Sequence, residues 1–165
     1  MHFQLVKNMN IKPSLVTTKF RDLSHGDLFI FEYDSHKCPA IKLIDPVNDG
    51  REMMIALGPT LTPGSKVPEL VGELLLSVIS FGKNYTIQLP VLAEDWVIDD
   101  QPRGSLATNG QDVYFYLQSQ IGGIYIDIKK GEVCKAKPQG ILAYTKAWKI
   151  GIQDGDTFQP VAIGA

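Results

Sequence analysis

The sequence predicts an all-β chain, mainly antiparallel, made of two similar β-meander halves packed as a small barrel or sandwich with at most one short helix. Three observations carry this expectation. The apolar runs are short and rich in β-branched and aromatic side chains. Fifteen glycines and ten prolines, together with Asn and Asp, interrupt those runs every few residues, as turns interrupt strands. Several runs alternate apolar with polar side chains, the period of a strand with one buried face.

Residues 28–31 (Leu, Phe, Ile, Phe) follow the turn residues Ser24, His25, Gly26 and Asp27. Residues 40–44 lie between Pro39 and a loop running from Asp45 to Gly50, and 53–57 stop at Gly58 and Pro59. Residues 85–89 alternate until Pro90 ends them; 113–117 are aromatic; 123–128 lead into Lys129, Lys130, Gly131 and Glu132, a hairpin turn. A last alternating run covers 148–152. Residues 68–79 are ambiguous. Pro68 and Glu69 suit a first helical turn, whereas Gly72, the Val78–Ile79 pair and the turn residues Gly82, Lys83 and Asn84 favour a strand, which is the reading adopted.

The halves, 1–92 and 93–165, share features that suggest an internal repeat forming one globular unit. Gly26, Asp27 and Leu28 correspond to Gly104, Ser105 and Leu106. Residues 41–44 before Gly50 correspond to 124–127 before Gly131, and 85–89 to 148–152. The first copy is longer, with an inserted loop expected over 60–72. The connecting segment 91–103 holds Glu94, Asp95, Asp99 and Asp100 around Trp96, read as a solvated acidic linker with a buried tryptophan.

Residues 20–29, with Phe20, Asp22, Leu23, Gly26, Asp27 and Phe29 in the pattern F-x-D-L-x-x-G-D-x-F, resemble the opening of small uncharacterised bacterial and phage β-proteins. The resemblance implies a turn feeding the first strand of a small barrel and carries no activity. The second half keeps the glycine and leucine of this pattern at Gly104 and Leu106 but neither phenylalanine.

Composition narrows the chemistry. A chain of 165 residues can bury roughly 70% of its unfolded surface without staples. A formal net charge of −2 offers no general attraction for nucleic acid or anionic lipid. The N-terminal residues lack the order of a signal peptide, and the longest apolar stretch, 71–81, is far short of the roughly 20 residues a spanning helix needs. A cytoplasmic protein without a membrane partner is the expectation. Two cysteines, Cys38 and Cys134, do not make a disulfide framework. Three histidines form no metal-binding spacing, so no metal and no cofactor is assigned. Residues 58–66 evoke a phosphate loop, but Pro59 and Pro63 remove the backbone donors such a loop needs.

Three function classes remain. The first is a non-catalytic β-barrel module that binds a protein partner or itself, a homodimer included, with Pro160, Val161, Ala162 and Ile163 as an edge strand open to pairing. The second binds a ligand or nucleic acid through the locally basic second half. Between Val113 and Ile152 stand six lysines and two acids, with candidate ligand-binding residues Tyr114, Tyr116, Tyr125, Lys146 and Trp148. Nucleic acid ranks below a protein partner. The third is an enzyme with a site near His25, His36 and Cys38, in which Asp22 or Asp27 orients His25 as a base. No catalytic residue is assigned.

Overall fold

A computed structural model describes residues 16–58, 69–71, 77–120 and 122–164. The N-terminal stretch read for targeting, the phosphate-loop look-alike after Gly58, and the inserted loop apart from 69–71 lie outside the described residues. The first half contributes β1 (Val16–Lys19), β2 (Leu28–Tyr33), β3 (His36–Asp45), β4 (Arg51–Ala56), β5 (Glu69–Val71), β6 (Ser77–Gly82) and β7 (Thr86–Gln88). The second contributes β8 (Ser105–Thr108), β9 (Val113–Ser119), β10 (Gly122–Asp127), β11 (Glu132–Val133), β12 (Ala143–Thr145), β13 (Lys149–Asp154) and β14 (Thr157–Ile163). Among the described residues the only helical pieces are 3-10 turns at Phe20–Asp22 and Ala93–Asp95. The chain is all-β. Strands at both ends of 68–79 agree with the extended reading there, and 72–76 lie outside the described residues.

The strands form a sandwich, not a closed barrel. One sheet runs β1-β6-β2-β3-β11-β10-β9-β8-β12, with β4 and β5 branching from β3; the other runs β14-β13-β7. Among the described residues all strand pairings are antiparallel except β3 with β11, where Ile44 lies opposite Glu132. Strand β3 is long enough to serve both halves. Its beginning pairs with β2, from His36 opposite Tyr33 to Ile41 opposite Leu28. Near its end Ile44 N donates to Gly131 O at 2.9 Å. The β2–β3 hairpin turns through Asp34 and Ser35, both at positive φ (47° and 62°), as a two-residue turn of the type that matches strand twist requires. The two stretches likened in sequence, 85–89 and 148–152, meet side by side, with Ile87 opposite Ile150. Elsewhere the halves differ in strand count: 41–44 belong to the strand after β2, whereas 124–127 are separated from β8 by the whole of β9.

Strand parity decides what each side chain meets. Leu28, Ile41, Leu43, Ile55, Leu106, Phe115, Leu117, Ile126, Ile128, Trp148 and Ile150 point into one core shared by both halves and both sheets. The opposite face of the first half is buried too, by Phe20, Phe29, Phe31, Cys38, Ala40, Met54 and Val78. The opposite face of the second half carries Ala107, Tyr114, Tyr116, Tyr125, Leu142 and Tyr144. Covering both faces of a sheet explains why the strand sequences are apolar beyond simple alternation.

This arrangement buries the aromatic residues named as ligand-binding candidates. Tyr114, Tyr116 and Tyr125 are buried on the outer face of β9 and β10, and Trp148 is completely buried, donating its Nε1–H to Gly104 O at 3.2 Å. Trp148 packs edge-on against Phe115 with centroids 5.4 Å apart, and Tyr116 does so against Tyr144 at 5.6 Å. The reason is cover: Leu142 and Tyr144, from well downstream, close over the tyrosines. Of the five residues only Lys146 is exposed. Trp96 is half-buried and donates to Pro90 O at 3.0 Å.

Candidate functional site

The reactive residues of the first half do not converge. His25 turns away from Asp22 and Asp27 and places Nε2 3.1 Å from Glu52 Oε1. Glu52 Oε2 in turn lies 3.2 Å from Lys42 Nζ. His36 stands exposed beside the β2–β3 turn, its Nδ1 2.7 Å from Asp34 O. Cys38 is buried among phenylalanines, and desolvation raises its thiol pKa. Cys134 is free and half-buried, and burial followed by the charge of Asp127 raises its pKa as well. Raised pKa values keep thiols protonated, the opposite of what a nucleophile needs. Among the described residues no group of three or more His, Cys, Asp or Glu is placed to hold a metal ion, and no helix is long and apolar enough to cross a membrane.

What the sequence did not announce is a cleft of about 500 Å³ where the halves meet, lined by Lys83, Tyr85, Ile87, Gln111, Asp112, Val113, Asp127, Ile128 and Lys129. Each wall has a local cause. The turn after β6 presents Lys83 and then Tyr85, whose hydroxyl donates to Gly26 O at 2.9 Å. Burial, reinforced by the charge of Asp27, pushes the Tyr85 hydroxyl up to about 12, so it stays a donor. The facing wall is the β8–β9 hairpin tip. There Asn109 Oδ1 accepts from Gln111 N at 3.1 Å and Asp112 N at 2.9 Å, while Thr108 Oγ1 donates to Asp112 O at 2.9 Å. Side chains that bond their own turn in this way stiffen it.

The third wall is the β10–β11 turn, in which Asp127 Oδ1 accepts from Lys130 N at 3.0 Å. This turn locks against the first half through two glycines. Gly131 has φ +66°, and a Cβ placed there would collide with the backbone of His25 and Gly26. Gly26, at φ +89°, leaves room for Lys83 Cε and the Lys129 carbonyl, each 3.4 Å from where its Cβ would stand. Glycine is required where backbones approach this closely.

Ile128 is buried, and Tyr85, Ile87 and Val113 are half-buried, so the floor is apolar while Lys83, Lys129, Gln111 and Asp112 stand exposed at the rim. An apolar floor with a few placed polar groups in a volume between about 300 and 1,000 Å³ is the usual form of a small-molecule site. Of the sequence-assigned candidates none lines this cleft; Tyr114 lines a smaller one of about 270 Å³ with Asp127, Lys130, Glu132 and Cys134. The hairpin signal Asn109–Gly110 and the tyrosine directly after a turn are the sequence features that mark the cleft. No known protein family, curated protein or solved structure matches this chain.

Proposed function

We propose that the protein is a non-catalytic binding module whose ligand occupies the cleft between the β6–β7 turn, the β8–β9 tip and the β10–β11 turn. The observation that carries this reading is the cleft itself, about 500 Å³ with an apolar floor and four charged side chains on its walls. Its walls are stiffened by turn hydrogen bonds and by the Tyr85–Gly26 bond, so a ligand would meet a preformed surface. Preformed surfaces lose little entropy on binding. A fragment screen read by amide NMR shifts tests the reading. Shifts in residues 83–87, 111–113 and 127–129 moving together support it; fragments that bind only elsewhere would sink it.

A second reading, a protein partner, rests on the chain between the halves. Val91, Leu92 and Ile98 are 95%, 56% and 60% exposed, among the exposed acids Glu94, Asp95, Asp99 and Asp100. Val97 bridges to Tyr144 at the outer edge of β12, with N···O distances of 2.9 and 2.8 Å, and Ile141 nearby is 80% exposed. Exposed apolar side chains grouped within a polar fence mark interaction surfaces. Self-association through β14, the edge of its sheet, is the homodimer form of the same reading. Light scattering at high concentration separates the two: a dimer abolished by Val161→Glu favours β14, and a strict monomer removes self-association.

A further inference from the structure

Resting on the cleft reading above, we infer that the ligand is a small organic monoanion with an apolar body, a carboxylate whose head group lies between Lys83 and Lys129. The four charged side chains of the cleft are not equally available. Asp127 is engaged by the Lys130 backbone N at 3.0 Å and by Lys130 Nζ at 3.9 Å. Burial raises the pKa of the Tyr114 hydroxyl, and the charge of nearby Asp112 raises it further. Lys83 and Lys129 are exposed, and among the described residues neither forms an ion pair. They also share one rim. Both residues line the cleft, and Lys83 Cε and the Lys129 backbone carbonyl each stand 3.4 Å from where a Gly26 Cβ would be.

Unengaged cations above an apolar floor of Tyr85, Ile87, Val113 and Ile128 select a molecule with one anionic end and a hydrocarbon or aromatic remainder. The engaged acids also select. Asp112 and Asp127 on the same walls would repel a polyphosphate, whereas a single carboxylate meets two ammonium groups first. Nucleoside polyphosphates are also helped by helix N-termini or guanidinium forks, and neither lines this cleft. Two lysines set against two acids on the walls therefore favour a single negative charge over a polyphosphate.

The test uses three eight-carbon probes in amide NMR titrations of the full chain: octanoate, octanol and octylammonium. Octanoate is expected to shift residues 83–87, 111–113 and 127–129 at the lowest concentration, with octylammonium weakest. Lys83→Gln with Lys129→Gln should weaken octanoate about tenfold, since exposed charge pairs are each worth under about 1 kcal/mol, while octanol binding stays the same. Raising salt to 0.5 M should weaken only octanoate. Octanol or octylammonium binding the wild-type cleft as tightly as octanoate would overturn the charge inference and leave the cleft reading standing. So would octanoate binding that ignores the double substitution. If none of the three probes moves the cleft amides, both readings fall.

Discussion

Replacing Lys42 with methionine removes a buried cation while keeping nearly the same length of chain in its slot. Lys42 is completely buried, and its Nζ donates to Phe20 O at 3.1 Å, Arg21 O at 3.1 Å and Leu23 O at 2.9 Å. It also pairs with Glu52 and lies 4.9 Å from the Phe20 ring centroid. In Lys42→Met, Phe20 O keeps the Leu23 N–H at 3.2 Å, and Arg21 O is near enough to the surface to find water. Leu23 O is left without its buried donor. One orphaned buried carbonyl plus one lost charged hydrogen bond gives an expected loss of about 2–4 kcal/mol. At this chain length that lowers the melting temperature by roughly 4–16 °C. Urea unfolding followed by the fluorescence of Trp96 and Trp148 measures the loss of stability.

Acid titration of the same pair of proteins supplies a second readout. Partial burial pushes the Glu52 carboxyl up, but hydrogen bonds from His25 and Lys42 and their charges bring it below its ordinary value. A carboxylate lowered in the fold contributes stability above its unfolded pKa of about 4.3, and that contribution is lost as pH falls through the folded value. Wild type should therefore lose stability more steeply than Lys42→Met below about pH 4.3. A loss under about 0.5 kcal/mol for Lys42→Met, with parallel acid limbs, would show that the three carbonyls rehydrate freely and refute the reasoning.

Gly131→Ala should cost about 2 kcal/mol or more, because a Cβ at φ +66° meets the His25 and Gly26 backbone, which cannot yield; unchanged urea midpoints would contradict the close approach. Tyr125 and Tyr144 share a buried hydroxyl pair at 2.7 Å, so Tyr125→Phe and Tyr144→Phe should each cost about 1–2 kcal/mol. The double variant should cost less than the sum, and strict additivity in the cycle would mean that the hydroxyls do not depend on each other. Tyr85 has its folded pKa pushed up to about 12, so the fold binds its proton where the unfolded chain, at about 10, has released it. Stability is expected to fall as pH rises from 10 to 12, and Tyr85→Phe should flatten that slope in alkaline denaturation.

Much of the fold was legible because strand formation is written in short-range patterns. The apolar runs at 28–31, 40–44, 53–57, 113–117 and 148–152 all fall within or across strands, and the chain turns at Ser24–Asp27 and, just before β11 opens at Glu132, at 128–131, where Gly and Asp placed those turns. The site was not legible in the same way. Tyr114, Tyr116, Tyr125 and Trp148 fitted a ligand-binding surface and a packed core equally well in sequence, because aromatic alternation looks the same on a wet face and a covered one. Lys42, in the middle of the apolar run 40–44, was a visible anomaly, but its carbonyl partners at 20–23 belong to another element. The cleft joins residues 83–87, 111–113 and 127–129, and no local pattern ties those three stretches together.

By itself the sequence determined which residues extend, where the chain reverses, and which side chains share a face, since each depends on neighbours within a few positions. Only the tertiary structure decided which faces stay dry, which lysines are left without a partner, and where a cavity opens. Those properties depend on cover and charge supplied by segments tens of residues away, as when Gly131 docks on Gly26 and Tyr144 closes over Tyr125.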